Sequence, residues 1–442
     1  MDKIQIKSFE VFGLFGTDDV SIPFNDDGIK ILIGENGLGK TQILNLLYST
    51  LTANFLRLDE FKFSKLKLSF SNKKSIEISK EDIRNLTEKM YDNPIVKNFI
   101  NDFGLSQFEV SKKKYQASRG NLQKYIERHE RDERHRYPVR RLFNIFEELE
   151  KDLLTDAFKK LKKEIADTLK DIDILYFPTY RRVEEDLYNF GYDEELDFDS
   201  KDTLIQFGMD DVKNRFLFIQ NAIDKLLKEG LKQFTSDIIN VVISDDNVSE
   251  SLTALLDKIS NDDFDIILSR VGDSLNDNQK ESIKNMVAKK EIKNSLSIYL
   301  LQKLVEIYEK QKELDKSVKD FRDVCNTYLI GKEVFYDESE IEIYIKSKKT
   351  NEKIELKYLS SGEKQIISMF SKVYLSKSDK RFYILFDEPE LSLSIIWQKH
   401  LLPNILKSKK CDFLLAVTHS PFIFENELDK YAVGLNEYVK PL

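Results

Sequence analysis

A chain of 442 residues exceeds the span of a single hydrophobic core, so roughly two or three compact units are expected. With 41% hydrophobic and 33% charged residues the composition is soluble and globular, and a net charge of −8 excludes a surface that coats nucleic acid as a whole, leaving only a local basic patch for that role. Cys325 and Cys411 form no C-x-x-C pair, and His129, His135, His400 and His419 are scattered, which excludes a zinc hook or a cysteine-rich metal site.

The N-terminal stretch MDKIQIKSFEVFG has no signal-peptide core, and no run approaches about 18 uninterrupted apolar residues. A cytoplasmic protein without a membrane contact is expected. Residues 3–11, 17–24 and 29–34 read as three strands separated by Gly/Asp turns.

Residues 34–41, GENGLGKT, then match the phosphate-loop pattern G-x-x-x-x-G-K-[ST] at Gly34, Gly39, Lys40 and Thr41, with Gly37 as an extra glycine. The match has the right context: Ile29-Lys-Ile-Leu-Ile33 suits a buried strand, and the residues from Gln42 to Leu51 place apolar side chains at helical spacing. A strand, loop and helix in that order aim backbone N–H groups and the positive helix end at an anion, and Lys40 adds a point charge. Gly34, Glu35, Asn36, Gly37, Leu38, Gly39, Lys40, Thr41 and Gln42 are therefore the candidate nucleotide cradle.

Residues 62–71 and 74–79 alternate apolar and polar side chains around a turn, as a hairpin with one wet face does. From about 80 to 170 the pattern is helical and highly charged. Within it, residues 112–141 hold eleven Lys/Arg against four Asp/Glu. This segment reads either as a solvated helical arm or as a docking surface for nucleic acid or an acidic protein, with Tyr115, Tyr125 and Tyr137 interleaved. Residues 172–183 return to a strand that delivers Tyr180, Arg181 and Arg182 into a loop, for contact with phosphate or a partner or as a plain surface turn. Residues 201–330 are almost continuously helical in pattern, with Ile292, Leu296, Leu300, Leu304 and Ile307 three and four apart. The heptads are too irregular for a long coiled coil, so a compact insert or short arm is expected. Strand character resumes at 334–347.

A second chemical region follows. Residues 359–365 read LSSGEKQ before an apolar helical run. The buried-strand run Phe382-Tyr-Ile-Leu-Phe386 ends in Asp387-Glu388-Pro389-Glu390, and Phe413-Leu-Leu-Ala-Val417 ends in Thr418-His419-Ser420-Pro421. Hydrolysis of a nucleotide γ-phosphate needs a metal bridging the β- and γ-oxygens, donors that take up charge and a group that orients water. Thr41 and Asp387 are the candidate Mg²⁺ ligands. Glu388 is the candidate base for the attacking water, and His419 the γ-phosphate sensor or donor.

These four strings resemble the Walker A, signature, Walker B and H-loop motifs of the ABC-type ATPases, in particular the SMC/RecF/OLD-like branch. Glu363 followed by Lys364, and DEPE in place of DEPT, are similar to that branch. The resemblance covers roughly residues 1–80 and 330–425. It implies an α/β fold: an ABC-type P-loop ATPase head of two lobes, a mixed sheet plus an antiparallel sheet, with a large helical insertion. The implied division is 1–80 for the N-terminal lobe, 81–171 for a charged helical insertion, 172–200 for a return strand and loop, 201–330 for a helical arm, and 331–442 for the C-terminal lobe. ATP and Mg²⁺ are the implied ligands. Two copies would sandwich two ATPs, with Ser360, Ser361, Gly362 and Glu363 of one copy meeting the nucleotide held by Lys40 of the other.

Three features depart from the family pattern, one of them Ser361, which stands in the signature where glycine is common. Ser394 ends LSLS where relatives usually show LSLH, and no Q-loop glutamine follows the first lobe, its place in the order being taken by FPTYRRVEE at 177–185. Within the branch, FPTYRR, FGMDDV (207–212) and CNTYLIGK (325–332) look like the stand-alone ATPases of bacterial anti-phage defence modules, such as the AriA-like ATPase subunit of PARIS systems or those of abortive-infection and Septu systems. Such a protein is expected to work beside a separate effector nuclease or toxin, since the residues after His419 leave no room here for a Toprim nuclease. A phage protein or nucleic acid at 112–141 is the expected trigger. A RecF-like repair ATPase gripping duplex DNA is the alternative, and the long segment between residues 80 and 330 argues against a transporter subunit.

Overall fold

Two kinds of strand sequence build two kinds of sheet. The computed structural model describes residues 4–35, 37–92, 94, 156–179, 209–244, 261–271, 276–288 and 295–442. Its contacts divide the chain into two compact units, one of Met1–Phe207 with Asp379–Leu442 and the other of Gly208–Ser378. In chain order the first unit contributes β1 (Ile6–Leu14), β2 (Asp18–Pro23), β3 (Ile29–Ile33), α1 (Lys40–Leu51), α2 (Phe55–Leu58), β4 (Lys65–Phe70), β5 (Ser75–Ser79), α3 (Lys80–Asp92), α4 (Asp156–Thr168) and β6 (Ile172–Phe177). The second unit follows with α5 (Met209–Ser244), α6 (Asn261–Arg270), α7 (Asp277–Ala288), α8 (Ser295–Asn326), β7 (Lys332–Asp337), β8 (Glu342–Ser347), β9 (Lys353–Ile354) and α9 (Ser361–Tyr374). The chain then returns to the first unit with β10 (Arg381–Asp387), α10 (Ile395–Lys407), β11 (Cys411–Thr418), β12 (Ala432–Gly434) and β13 (Val439–Pro441).

In the first unit, β4 and β5 bury every second residue, and with β1, β2 and β13 they form an antiparallel sheet in the order β13-β2-β1-β4-β5. Alternation leaves one face wet, as the hairpin at 62–79 foretold. By contrast β10 and β11 are buried almost without interruption, as strands covered on both faces must be. They sit inside a parallel sheet of order β12-β3-β11-β10-β6. Between the sheets lies one apolar core in which Ile43, Leu44, Leu46 and Leu47 of α1 meet Phe9 and Val11 of β1 and Leu415 and Val417 of β11. The fold is thus mixed α/β, with one parallel and one antiparallel sheet in this unit.

In the second unit, Leu301, Leu304, Val305 and Tyr308 of α8 form a stripe at helical spacing that packs on Phe264, Ile267 and Leu268 of α6. Phe216 of α5 meets Phe321 of α8 at 5.7 Å between ring centroids, and Tyr328 meets Phe370 of α9 at 5.4 Å. Asn326 closes α8 onto β7: its side-chain oxygen accepts from the Val334 N–H at 2.7 Å and its amide donates to the Val334 carbonyl at 3.0 Å.

The strand character at 334–347 takes the form of the hairpin β7–β8. Asp337 turns the chain by accepting from the N–H groups of Ser339 and Glu340 at 3.0 and 3.1 Å, an aspartate-built turn that interrupts an otherwise continuous β pattern. The contact division also places β7, β8 and α9 with the helices of 209–326, where the sequence pattern suggested a boundary near 330. The basic segment 112–141, Tyr180, Arg181, Arg182 and Ile292 lie outside the described residues. Among those described, no helix is long and apolar enough to cross a membrane.

Candidate nucleotide site

Parallel register brings the motif residues to one edge. Ile33 pairs with Thr418, Val417 with Asp387 and Phe386 with Phe177, so Gly34, His419, Glu388 and Thr179 all emerge at or just past the carboxyl ends of adjacent strands. That edge is where open α/β sheets receive ligands.

The loop from Gly34 to Thr41 carries β3 into α1. Gly39 caps the helix with φ 80° and ψ 17°, and a Cβ there would stand 2.9 Å from Cε2 of Phe15, so both dihedral and space demand glycine. Gly37 also has a positive φ of 95°. No side chain caps α1 and no acidic residue occupies its first turn, which leaves the positive helix end to an anion. Glu35 and Gly37 are exposed, Leu38 packs on the core, and Gln42 is half-buried in the first turn. Asn36 lies outside the described residues.

Lys40 is buried at 6% exposure and reaches three groups. Its ammonium donates to the Gly34 carbonyl, lies 3.2 Å from Nδ1 of His419 and 3.2 Å from Oε1 of Glu388. His419 Nε2 is in turn 3.3 Å from the same Glu388 oxygen. The structure thus joins Lys40 to Glu388 and His419, which lie more than 340 positions further along the chain. Burial, then the Lys40 charge, hold the His419 imidazole below its ordinary pKa, against a smaller opposing effect of Glu390, so the ring is neutral at pH 7. Glu388 is pushed up to about 7, first by burial and then by a hydrogen bond to Glu390 and its charge, against the pull of Lys40. A carboxyl so placed titrates near neutrality, as a general base for water needs. Its backbone is held at φ 51°, in the left-handed region, with its N–H on the Val417 carbonyl at 2.9 Å. Such a dihedral costs about 1–2 kcal/mol in a residue with a Cβ and is kept by the surrounding ladder.

The candidate metal pair is equally direct. Thr41 Oγ1 donates to Asp387 Oδ1 at 3.0 Å, and Asp387 is 1% exposed. Two oxygens 3.0 Å apart match one edge of an octahedron with ligand distances of about 2.1 Å, the geometry Mg²⁺ demands. Among the described residues no group of three or more His, Cys, Asp or Glu could hold a metal alone, so these two oxygens would share the ion with phosphates.

Several contributors were not picked out from the sequence. Thr179 Oγ1 and the Tyr176 hydroxyl donate to Asp387 Oδ2 at 3.3 and 3.5 Å. Thr179 belongs to the segment 177–185, which takes the Q-loop's place in the order of the chain. Glu390 Oε1 accepts the N–H groups of His419 and Ser420 at 2.9 and 3.1 Å. Ser394, which departs from the family pattern, is the N-cap of α10 and accepts from the Trp397 N–H at 3.4 Å. The signal for Thr179 was positional, because β6 borders the strand that ends in Asp387; the signal for Glu390 was its place as the third acid of Asp387-Glu388-Pro389-Glu390.

The signature residues belong to the second unit. Ser360 caps α9 in a capping box: its Oγ accepts the Glu363 N–H at 3.4 Å, and Glu363 Oε2 accepts the Ser360 N–H at 2.8 Å. Lys332 donates to both Glu363 oxygens at 2.8 and 3.1 Å. Burial raises the Glu363 carboxyl, but Lys332 and Ser360 outweigh it and hold the group below the ordinary glutamate range. The Glu363 carboxylate is thus spent on shaping the turn, while Ser360 and Ser361 are exposed and Gly362 is buried.

Comparison with known proteins extends over nearly the whole chain. A family model described as an AAA ATPase domain matches residues 2–424. No curated protein matches significantly. Among solved structures, the Smc head domain with an extended coiled coil bound to the C-terminal domain of ScpA, from Pyrococcus furiosus, is 12% identical over 99% of this chain and 96% of that chain, with a TM-score of 0.38. An SmcHead bound to the C-winged helix domain of ScpA is 11% identical over 99% and 97%, with a TM-score of 0.35. The Smc head domain with a coiled coil and joint from Pyrococcus yayanosii is 13% identical over 95% and 93%, with a TM-score of 0.33.

Proposed function

The chain belongs to the AAA_15 family of AAA ATPase domains, and from that premise we propose that it is a Mg²⁺-dependent, ATP-hydrolysing switch whose heads pair around ATP. The observation that carries this reading is the meeting of Thr41 with Asp387, and of Lys40 with Glu388 and His419, at the carboxyl ends of one parallel sheet. Lys40 and the N-terminal amides of α1 hold the β- and γ-phosphates, and Lys40 exchanges its Glu388 contact for phosphate oxygen as the nucleotide enters. Thr41 and Asp387 would hold Mg²⁺, which would draw charge from the phosphate oxygens. Glu388 orients a water and takes its proton; the water oxygen bonds to the γ-phosphorus as the bond to the bridging oxygen breaks, and ADP leaves. His419, neutral at pH 7, contacts the γ-phosphate.

In this reading Ser360, Ser361 and Gly362 of a second copy complete the site, consistent with the exposure of both serines at the start of α9. ATP then joins two heads and hydrolysis releases them. The biological role we favour is that of a sensor and scaffold ATPase in an anti-phage, PARIS-like defence complex, holding and releasing a separate nuclease or toxin. The basic segment 112–141 favours a second reading, a RecF/SMC-like ATPase that binds duplex DNA.

The test is ATP turnover with and without Mg²⁺, together with the mass of wild type and Glu388→Gln with and without ATP. Turnover in the wild type and an ATP-dependent doubling of mass in the variant support the switch; a monomeric mass with ATP bound overturns the pairing. Duplex affinity that falls steeply with salt assigns the DNA-binding role instead.

A further inference from the structure

We infer that Glu390 is the positioning residue of His419, with Gln398 bracing the same turn from its other side. The inference rests on the ATPase reading and extends it to residues outside the phosphate, metal and water contacts.

The turn after β11 carries His419 to the site, and two consecutive backbone N–H groups of that turn converge on one oxygen. Glu390 Oε1 accepts from His419 at 2.9 Å and from Ser420 at 3.1 Å. Glu390 is 8% exposed, and its second oxygen is buried with no hydrogen-bond partner. A carboxylate is costly in such a place, and the two amides compensate it only while the turn keeps this shape. The same turn is gripped again where the Ser420 hydroxyl donates to Gln398 Oε1 at 2.6 Å. Gln398 in turn donates to the Leu393 carbonyl at 2.9 Å, with the Glu390 carbonyl at 3.5 Å. The segment 390–393 and the His419 turn are therefore one hydrogen-bonded unit, only three residues beyond Asp387. The His419 N–H is shared with Glu388 Oε2 at 3.1 Å and the Ser420 N–H with Thr418 Oγ1 at 2.9 Å, and the His419 ring meets Lys40 and Glu388 from this same turn, so its aim depends on the turn. Movement of 390–393 is transmitted to His419 through Gln398, and Glu390 sets the position from which it moves.

The experiment compares Glu390→Ala, Glu390→Gln, Gln398→Leu, His419→Ala and the Glu390→Ala/His419→Ala pair, reading kcat, ATP affinity and hydrogen exchange at the amides of residues 419 and 420. Glu390→Ala is expected to lower kcat about 10- to 100-fold with ATP affinity changed less than about threefold, as loss of an orienting partner does. Glu390→Gln is expected to return kcat to within about threefold, because its amide oxygen accepts the same two N–H groups. The pair is expected to be no slower than His419→Ala alone, since the two act through one group. Exchange at 419 and 420 should accelerate in Glu390→Ala and not in Glu390→Gln. An unchanged kcat in Glu390→Ala, a Glu390→Gln as slow as Glu390→Ala, or losses that multiply in the pair overturns the assignment. If Glu390→Ala does not fold, Gln398→Leu decides, a kcat loss without an affinity loss supporting the brace and none refuting it. Absence of turnover in the wild type would refute the ATPase reading itself, and the exchange arm would still judge the clamp.

Discussion

The Thr41 hydroxyl donates to Asp387 across 3.0 Å, joining residues 346 positions apart through the register of the parallel strands between them. Asp387 is held from its other side by Thr179 and Tyr176, so its orientation does not depend on Thr41 alone. Thr179→Val keeps the shape of the side chain and removes one donor. It is expected to weaken apparent Mg²⁺ affinity about 10-fold while leaving the fold intact, the usual size of an outer-partner effect. A Mg²⁺ titration of ATP turnover that superimposes on the wild-type curve would show that Thr179 does not orient the carboxylate.

Glu388 should impose a pH dependence of known sign. The base acts as carboxylate, and in the free protein it titrates at about 7, so kcat/KM is expected to rise with pH through that region. Glu388→Gln should lower turnover by about 10²–10⁴ and remove that limb. Stability runs the other way. The folded pKa is raised from 4.5 to about 7, so the group favours folding below about 4.5 and that contribution is lost as pH rises through about 7. Glu388→Gln should therefore gain melting temperature relative to wild type at pH 8 but not at pH 5; equal shifts at both would refute a raised pKa.

The phosphate loop, the Asp387-Glu388 strand end and His419 were legible because each follows an apolar strand, and strand ends of a parallel sheet share one edge whatever their separation along the chain. Thr179 was not, because nothing in the sequence says that β6 borders β10; that pairing is a property of the sheet order. Glu390 carried an acidic signal without a partner, since its acceptor role exists only once β11 ends beside it. Glu363 reads as a nucleotide contact from its motif; its capping box with Ser360 is local to residues 360–363, whereas its ion pair with Lys332 depends on the β7–β8 hairpin. The helical stripe of α8 was visible in its spacing, whereas the polar cluster that crosses it was not, because its members lie on α6, α8 and β7.

Lys332 should matter through Glu363. Its removal in Lys332→Met leaves a buried carboxylate with only the Ser360 groups, and the turn that presents Ser360 loses an anchor. Because the Glu363 pKa is lowered, the stability it contributes is present above the ordinary glutamate range and is lost as pH falls through the lower folded value. The melting-temperature gap between wild type and Lys332→Met is expected to be largest at neutral pH and to close in acid. Glu363→Ala should cost about 1 kcal/mol as a lost cap. A gap that persists unchanged in acid would mean that Lys332 acts through something other than this ion pair.

Arg270 tests how the second unit is held. All five of its N–H donors are used: Nε on the Glu338 carbonyl at 2.8 Å, Nη1 on Gln311 and Asp315 at 2.9 Å each, and Nη2 on Asp315 at 2.7 Å and the Tyr336 hydroxyl at 3.3 Å. The pair is 1% and 3% exposed, so neither charge has recourse to water. Removing one partner strands the other, and Arg270→Met is expected to lower unfolding stability by about 3–5 kcal/mol in a denaturant titration. Arg270→Met with Asp315→Leu removes both charges and should recover part of that loss, since an apolar replacement of a buried pair is often neutral. If the double variant is less stable than either single one, the network contributes packing or specificity that an apolar core does not replace, and the charge-stranding account of this cluster is wrong.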